Sequence, residues 1–168
     1  VRLAEEGADI FAVDRCEDFE TVGYPMATPE DLAETAKFVE KTGQRIVTAK
    51  VDVADAGQLR TALDNGVAEL GKLDIVVTAA GIAGMKGSAN MPAWIDVINT
   101  NLIGTINAIQ VALPHLSEGA SIIATGSTAA LMDVAKNDNP GADPGGAGFA
   151  IDLDEVERVE VVADGFGH

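Results

Sequence analysis

Four short apolar runs recur along this chain, separated by stretches of helical periodicity, and that alternation limits the folds open to it. "ADIFAVD" (8–14), "RIVTAKVDV" (45–53), "LDIVVTAAG" (73–81) and "ASIIATGS" (120–127) are dominated by Val, Ile and Ala. Apolar runs of this length fit strands covered on both faces. Between them, Thr28 stands as an N-cap with Pro29 at the first helical position, and Leu32, Ala36 and Val39 form one apolar face that stops near Gly43. Asp55 caps a second helix, with Leu59, Leu63, Val67 and Leu70 at helical spacing and Gly71 as its stop. A long helix is predicted from Pro92 to Leu116. "VRLAEEG" reads as the last turns of another helix, with Gly7 just past its C-cap. Strands joined through helices imply right-handed crossovers and an α/β fold with a doubly wound parallel sheet.

Composition narrows the partners. The 168 residues carry 27 acids against 11 bases, a formal charge of −16. Such a surface repels phosphate backbones and anionic lipid heads, so neither nucleic acid nor membrane is an expected partner. A single cysteine, Cys16, allows no internal disulfide, no stretch has the length of a membrane span, and "VRLAEEGADI" lacks a signal-peptide core. The expectation is a soluble, cytoplasmic protein. From Leu131 the pattern changes: "NDNPGADPGGAG" is a loop composition. The ending "IDLDEVERVEVVADGFGH" fits a short acidic helix or a strand at "VEVVA". Residues 1–150 therefore read as one domain, with 151–168 a divergent acidic tail.

In an open parallel sheet, ligands lie beyond the carboxyl ends of the strands, so the residues where strands stop carry the information. Asp14 ends the first run; a carboxylate there suits ribose hydroxyls, and it equally suits a turn cap. Arg15 beside it has the chemistry to receive a 2′-phosphate. Asp52 has the same two readings as Asp14. Thr78, Ala79, Ala80 and Gly81 end the third run with residues too small to obstruct a ligand, or simply form a tight turn. Asn101 is a poor helix former inside the long helix, placed either to kink it and hold a water or to face solvent. Ser127 follows the fourth run, where a hydroxyl polarises a carbonyl or forms a turn. Met85, Met91 and Trp94 pack a loop and helix start or line a substrate pocket. His115 and His168 have no partners at metal-ligand spacing, and Asp133, Asp138 and Asp143 do not match a calcium loop, so no metal is expected.

Taken together and in this order, Asp14, Asp52, "TAAG" (78–81), "NTNLIG" around Asn101 and "IIATGS" ending in Ser127 resemble the short-chain dehydrogenases/reductases over residues 1 to about 149. The insert "RCEDFETVGYPMATPEDLAETAKFVEKTGQ" and the loop "AALMDVAKNDNPGADPGGAGF" are similar to those of the carveol-dehydrogenase-like, mycofactocin-coupled branch. The resemblance implies an NAD-dependent oxidoreductase acting on a secondary alcohol or ketone, with homotetramers usual in the family. It assigns the adenosine ribose to Asp14, the adenine surroundings to Asp52 and Val53, and the cofactor's path to Ala79, Ala80 and Gly81, with Arg15 leaving NADP open. Thr78 stands where the family usually has Asn. Asn101 would anchor a relay water and Ser127 would orient the substrate oxygen.

The resemblance also marks departures. The family's catalytic tyrosine falls at Phe149 and its lysine at Leu153. Phe149 has no proton to exchange and Leu153 no charge to lower a phenol's pKa; loss of general acid/base help costs about 10²–10⁴ in rate. The glycine-rich loop, the first strand and the C-terminal strands of the fold have no counterpart, so the expectation is a partial Rossmann-type doubly wound sheet. An inactive oxidoreductase-like chain is one expectation; a non-catalytic remnant or acidic interaction module is the alternative.

Overall fold

A computed structural model describes residues 1–83, 91–126 and 159–163. Strand β1 (Ile10–Asp14) pairs in parallel with β2 (Ile46–Lys50), Ile10 opposite Ile46 and Asp14 opposite Lys50. Strand β3 (Ile75–Thr78) pairs in parallel with β4 (Ser121–Gly126), Ile75 opposite Ser121. The tail, whose form the sequence leaves open between helix and strand, supplies β5 (Val159–Ala163), parallel to β4. Residues on both sides of position 150 thus share one sheet. The result is a two-stranded sheet β1-β2 and a three-stranded sheet β3-β4-β5, with no pairing between β1 and β3.

The helices form where their caps direct. Helix α1 (Arg2–Glu5) is a single turn, and Gly7 leaves it at φ 99°. In α2 (Pro29–Glu40) the Thr28 side chain accepts from Asp31 N–H while the Asp31 carboxylate accepts from Thr28 N–H, a reciprocal capping box. In α3 (Ala56–Leu70) the Asp55 carboxylate accepts from the N–H groups of Gly57 and Gln58 at 3.0 and 2.9 Å, and Gly71 closes the helix in the left-handed region at φ 100°.

The predicted helix from Pro92 to Leu116 is interrupted. It comprises α4 (Met91–Val97), a π-helical turn over Ile98–Ile103, α5 (Gly104–Ala112) and a 3₁₀ turn at Leu113–His115. The wide turn contains Asn101, as a residue that competes with helical hydrogen bonding would favour.

Helices α3 and α5 pack on each other and tie the two sheets into one body. Val51, Leu59, Leu63, Val111 and Ala112 are buried together, with Phe11, Val13, Val67 and Val76 against them. Close approach is part of this packing: a Cβ built on Gly66 of α3 would lie 2.5 Å from Phe11 Cδ2. At the opposite end of β1 from Asp14, Asp9 accepts from the backbone N–H of Arg45 and from its guanidinium, which also donates to the carbonyls of Glu69 and Leu70 at the end of α3. That clasp ties β1, β2 and α3 at one point, and it holds the Asp9 carboxyl below the usual range, chiefly through the Arg45 backbone bond.

Candidate functional site

The site residues gather where β1 and β2 end. The carbonyl of Asp14 accepts from Val51 N–H at 2.9 Å, which keeps the strand ends in register. Its side-chain Oδ1 accepts from Cys16 N–H at 2.7 Å and turns the chain sharply, with Cys16 at φ 51°. The other carboxylate oxygen has no hydrogen-bond partner among the described residues. Cys16 itself is buried, and burial followed by the Asp14 charge pushes its thiol pKa up, which keeps it unreactive.

Arg15 is not free at this edge. Its guanidinium lies 3.4 Å from the Asp52 carboxylate and 3.8 Å from the centre of the Phe19 ring. Arginine prefers such a stacked, paired setting because its planar group satisfies both partners at once. Strand β2 ends at Lys50, so Asp52 sits in the following turn, where Oδ1 also accepts from Ala54 N–H at 2.8 Å. Lys50 pairs with Glu17 at 2.6 Å and depresses that carboxyl's pKa through the side-chain hydrogen bond.

Across the site, Ala79, Ala80 and Gly81 are exposed at the end of β3. Thr78 before them is buried, and its hydroxyl has no hydrogen-bond partner among the described residues. Asn101 governs the turn that follows: its Oδ1 accepts from Ile82 N–H at 2.8 Å and its Nδ2 donates to Ile82 C=O at 2.9 Å. Sequence alone leaves Asn101 to hold a water through its side chain or a freed carbonyl, or to face solvent. In the structure its side-chain amide bonds the backbone of Ile82, and its own carbonyl accepts from the Thr105 hydroxyl.

Three contacts were not anticipated. Asn107 donates to the carbonyls of Val53 and Ala54, fixing the turn after β2 against α5. Within the insert that follows Asp14, the Thr21 hydroxyl donates to Asp96 at 2.5 Å and the Tyr24 hydroxyl accepts from Ala83 N–H at 2.9 Å. The insert therefore spans from the β1 side to the β3 side. Asn107 had a signal, an amide in an otherwise apolar helix; Thr21 and Tyr24 had none, because their partners lie far along the chain.

A cavity of about 510 Å³ lies between the two sheets and reaches this site, with Val13, Val53, Thr78, Ala79 and Ala80 on its wall. Asp14, Arg15 and Asp52 thus come together at one side, and Thr78 to Gly81 with Asn101 at the other. Ser127, Phe149, Leu153 and Met85 lie outside the described residues. Among the described residues there is no cluster of three or more His, Cys, Asp or Glu side chains placed to hold a metal. No described helix is long and apolar enough to cross a membrane.

A carboxylate with one oxygen committed to a turn and one unengaged, opposite a strand end of alanine and glycine, fits the ribose diol and flat base of an adenosine group. Comparison with known proteins agrees in kind. Residues 1–142 match the family model described as short chain dehydrogenase. An uncharacterized oxidoreductase of Mycobacterium tuberculosis is 45% identical over 153 residues, covering 89% of this chain and 54% of that protein. The (-)-trans-carveol dehydrogenase of Rhodococcus erythropolis is 39% identical over 142 residues, 81% of this chain and 51% of its own length. The crystal structure of a carveol dehydrogenase from Mycobacterium avium in complex with NAD superposes with a TM-score of 0.75 at 44% identity, over 78% of this chain and 50% of that one. The chain spans about half the length of the relatives it matches.

Proposed function

The chain belongs to the short chain dehydrogenase family, and on that premise we propose that it carries the adenosine-binding half of an NAD-dependent oxidoreductase site for a secondary alcohol or ketone. The observation that carries this reading is Asp14, at the carboxyl end of β1 with one carboxylate oxygen unengaged among the described residues. That oxygen accepts from the ribose hydroxyls, and its charge disfavours a 2′-phosphate. Arg15, the residue that would otherwise welcome the phosphate, is committed to Asp52 and Phe19. NAD is therefore the cofactor rather than NADP.

NAD, when bound, supplies the hydride-accepting nicotinamide. Asp52 and Val53 flank the adenine, Ala79, Ala80 and Gly81 let the cofactor run close to the strand end, and Asn101 holds that turn through Ile82. Ser127 orients the substrate oxygen. The proton that must leave the alcohol has no acceptor at position 149, where phenylalanine stands, and no ammonium at Leu153 to assist one. We infer that this polypeptide binds the adenosine end of NAD weakly and does not turn over alcohols.

Saturation-transfer NMR with AMP, NAD and NADP tests the binding. AMP and NAD should give signals at millimolar ligand that Asp14→Asn reduces, and NADP should give less. Equal signals from NADP, or none lost in Asp14→Asn, would refute the assignment of Asp14.

A further inference from the structure

Two asparagines of one helical segment, Asn101 and Asn107, hold the two turns that flank the site. Asn101, in the π-helical turn, bonds both backbone groups of Ile82 in the turn after β3. Asn107, in α5, donates to the carbonyls of Val53 at 2.9 Å and Ala54 at 3.2 Å in the turn after β2. Gly104 lies between them and is buried; a Cβ there would overlap the Val53 side chain. The turn at 52–54 needs this support. Strand β2 stops at Lys50, and the bonds from Asp55 N–H to Asp52 C=O and from Ala54 N–H to Asp52 Oδ1 lie inside the turn. They set its shape and leave its placement to other contacts. Among the described residues, the hydrogen bonds that join it to a helix outside it are those of Asn107.

The Val53 carbonyl and the Ala54 N–H belong to one planar peptide, so anchoring the first fixes the direction of the second. That N–H meets Asp52 Oδ1 at 2.8 Å. We propose that Asn107 is a positioning residue for the nucleotide's base: by pinning the 53–54 peptide it aims the Asp52 carboxylate and creates a preference for a base that presents an amino group. The inference rests on the reading that Asp52 and Val53 flank the adenine. An ionised carboxylate offers only acceptors. Oδ2 lies 3.4 Å from the Arg15 guanidinium, and the lone pairs left over on the two oxygens suit the exocyclic amino group of adenine. Hypoxanthine carries a carbonyl at that position, which the carboxylate repels.

The test is NMR titration of the 168-residue chain with AMP and inosine monophosphate. Wild type should bind AMP more tightly by roughly threefold or more. Asn107→Ala should weaken AMP roughly three- to tenfold and inosine monophosphate by less than about twofold, so the preference falls. A merely structural role would weaken both nucleotides alike, and an unchanged ratio would overturn the proposal. Amide exchange on the wild-type chain gives a second readout should Asn107→Ala fail to fold. AMP should slow exchange at Ala54 N–H roughly threefold or more and inosine monophosphate should not; equal protection by both would overturn the proposal. Asp14→Asn, which acts at the ribose, should weaken both nucleotides equally. If it does so while the ratio is indifferent to Asn107, the adenosine reading stands and this inference falls. If wild type binds neither nucleotide, both fall.

Discussion

Replacing Asn101 tests whether its amide does what the geometry indicates. Asn101→Ala removes two hydrogen bonds to Ile82, at 2.8 and 2.9 Å, and leaves the N–H and C=O of a residue that is only 5% exposed without partners. At about 1 kcal/mol net for each bond the loss is about 2 kcal/mol. Alanine recovers up to about 0.7 kcal/mol in helix propensity, so a net destabilisation of about 1–1.5 kcal/mol is expected. Asn101→Asp separates the two bonds. An ionised carboxylate still accepts from Ile82 N–H, but it faces Ile82 C=O with no donor, at a cost of about 2 kcal/mol without a propensity gain. At neutral pH the aspartate variant should therefore be less stable than the alanine variant.

In acid the order should reverse. A protonated carboxyl can donate to Ile82 C=O, so the folded chain favours the protonated form and the introduced group's folded pKa rises above the unfolded value of about 3.9. Its contribution is fully present below the unfolded pKa and is lost as pH rises through the folded pKa. Urea unfolding of wild type and both variants, compared at matched pH from neutral to acid, reads this directly. An aspartate variant that tracks the alanine variant at every pH would refute the two-bond clamp, as would an alanine variant indistinguishable from wild type.

Other expectations are as specific. Gly66→Ala gains about 1 kcal/mol of helix propensity but drives a methyl group to 2.5 Å from Phe11, an overpacking worth about 1–3 kcal/mol, so it should destabilise. In a Phe11→Ala background the same change should stabilise by about 1 kcal/mol, and a denaturation double-mutant cycle would show the reversal or its absence. The Asp31 and Asp55 carboxyls are held below the usual range, first by the Thr28 and Gln58 backbone N–H groups. Their stabilisation is present above the unfolded pKa of about 3.9 and lost as pH falls through the lower folded values. Helical circular dichroism should decline in that window, and Asp55→Asn should lessen the decline. Phe149→Tyr alone should give no NADH absorbance change with secondary alcohols, because Leu153 leaves the new phenol near its ordinary pKa of about 10; turnover would show that another cation assists.

The α/β alternation was legible because each element carries its own local instruction. Thr28-Pro29 and Asp55 start helices through hydrogen bonds made within three residues, and Gly71 stops one through a conformation few other residues adopt. The strand runs identify themselves by their apolar, β-branched composition, although Ile75 and Val77 of β3 are exposed in the structure. Asn101 was legible as an anomaly but not in its target, because Ile82 is a backbone partner nineteen residues away with no side-chain signature. Arg15 was ambiguous for a related reason: whether it meets a phosphate or Asp52 depends on how the turns after β1 and β2 approach each other. The link from Tyr24 to Ala83 spans fifty-nine residues and left no pattern to read.

The Asp9–Arg45 clasp bears on the order in which the chain acquires its shape. It joins residues 36 apart, and α2, whose capping box forms from its own four residues, fills much of the interval. A helix formed early shortens the loop that must be closed, which favours this crossover as an early parallel pairing. Strand β3 must wait for a partner that begins at Ser121. Folding is therefore expected to start at the amino-terminal crossover, with substitutions in α2 and at Arg45 slowing refolding and those in β3 and β4 mainly hastening unfolding.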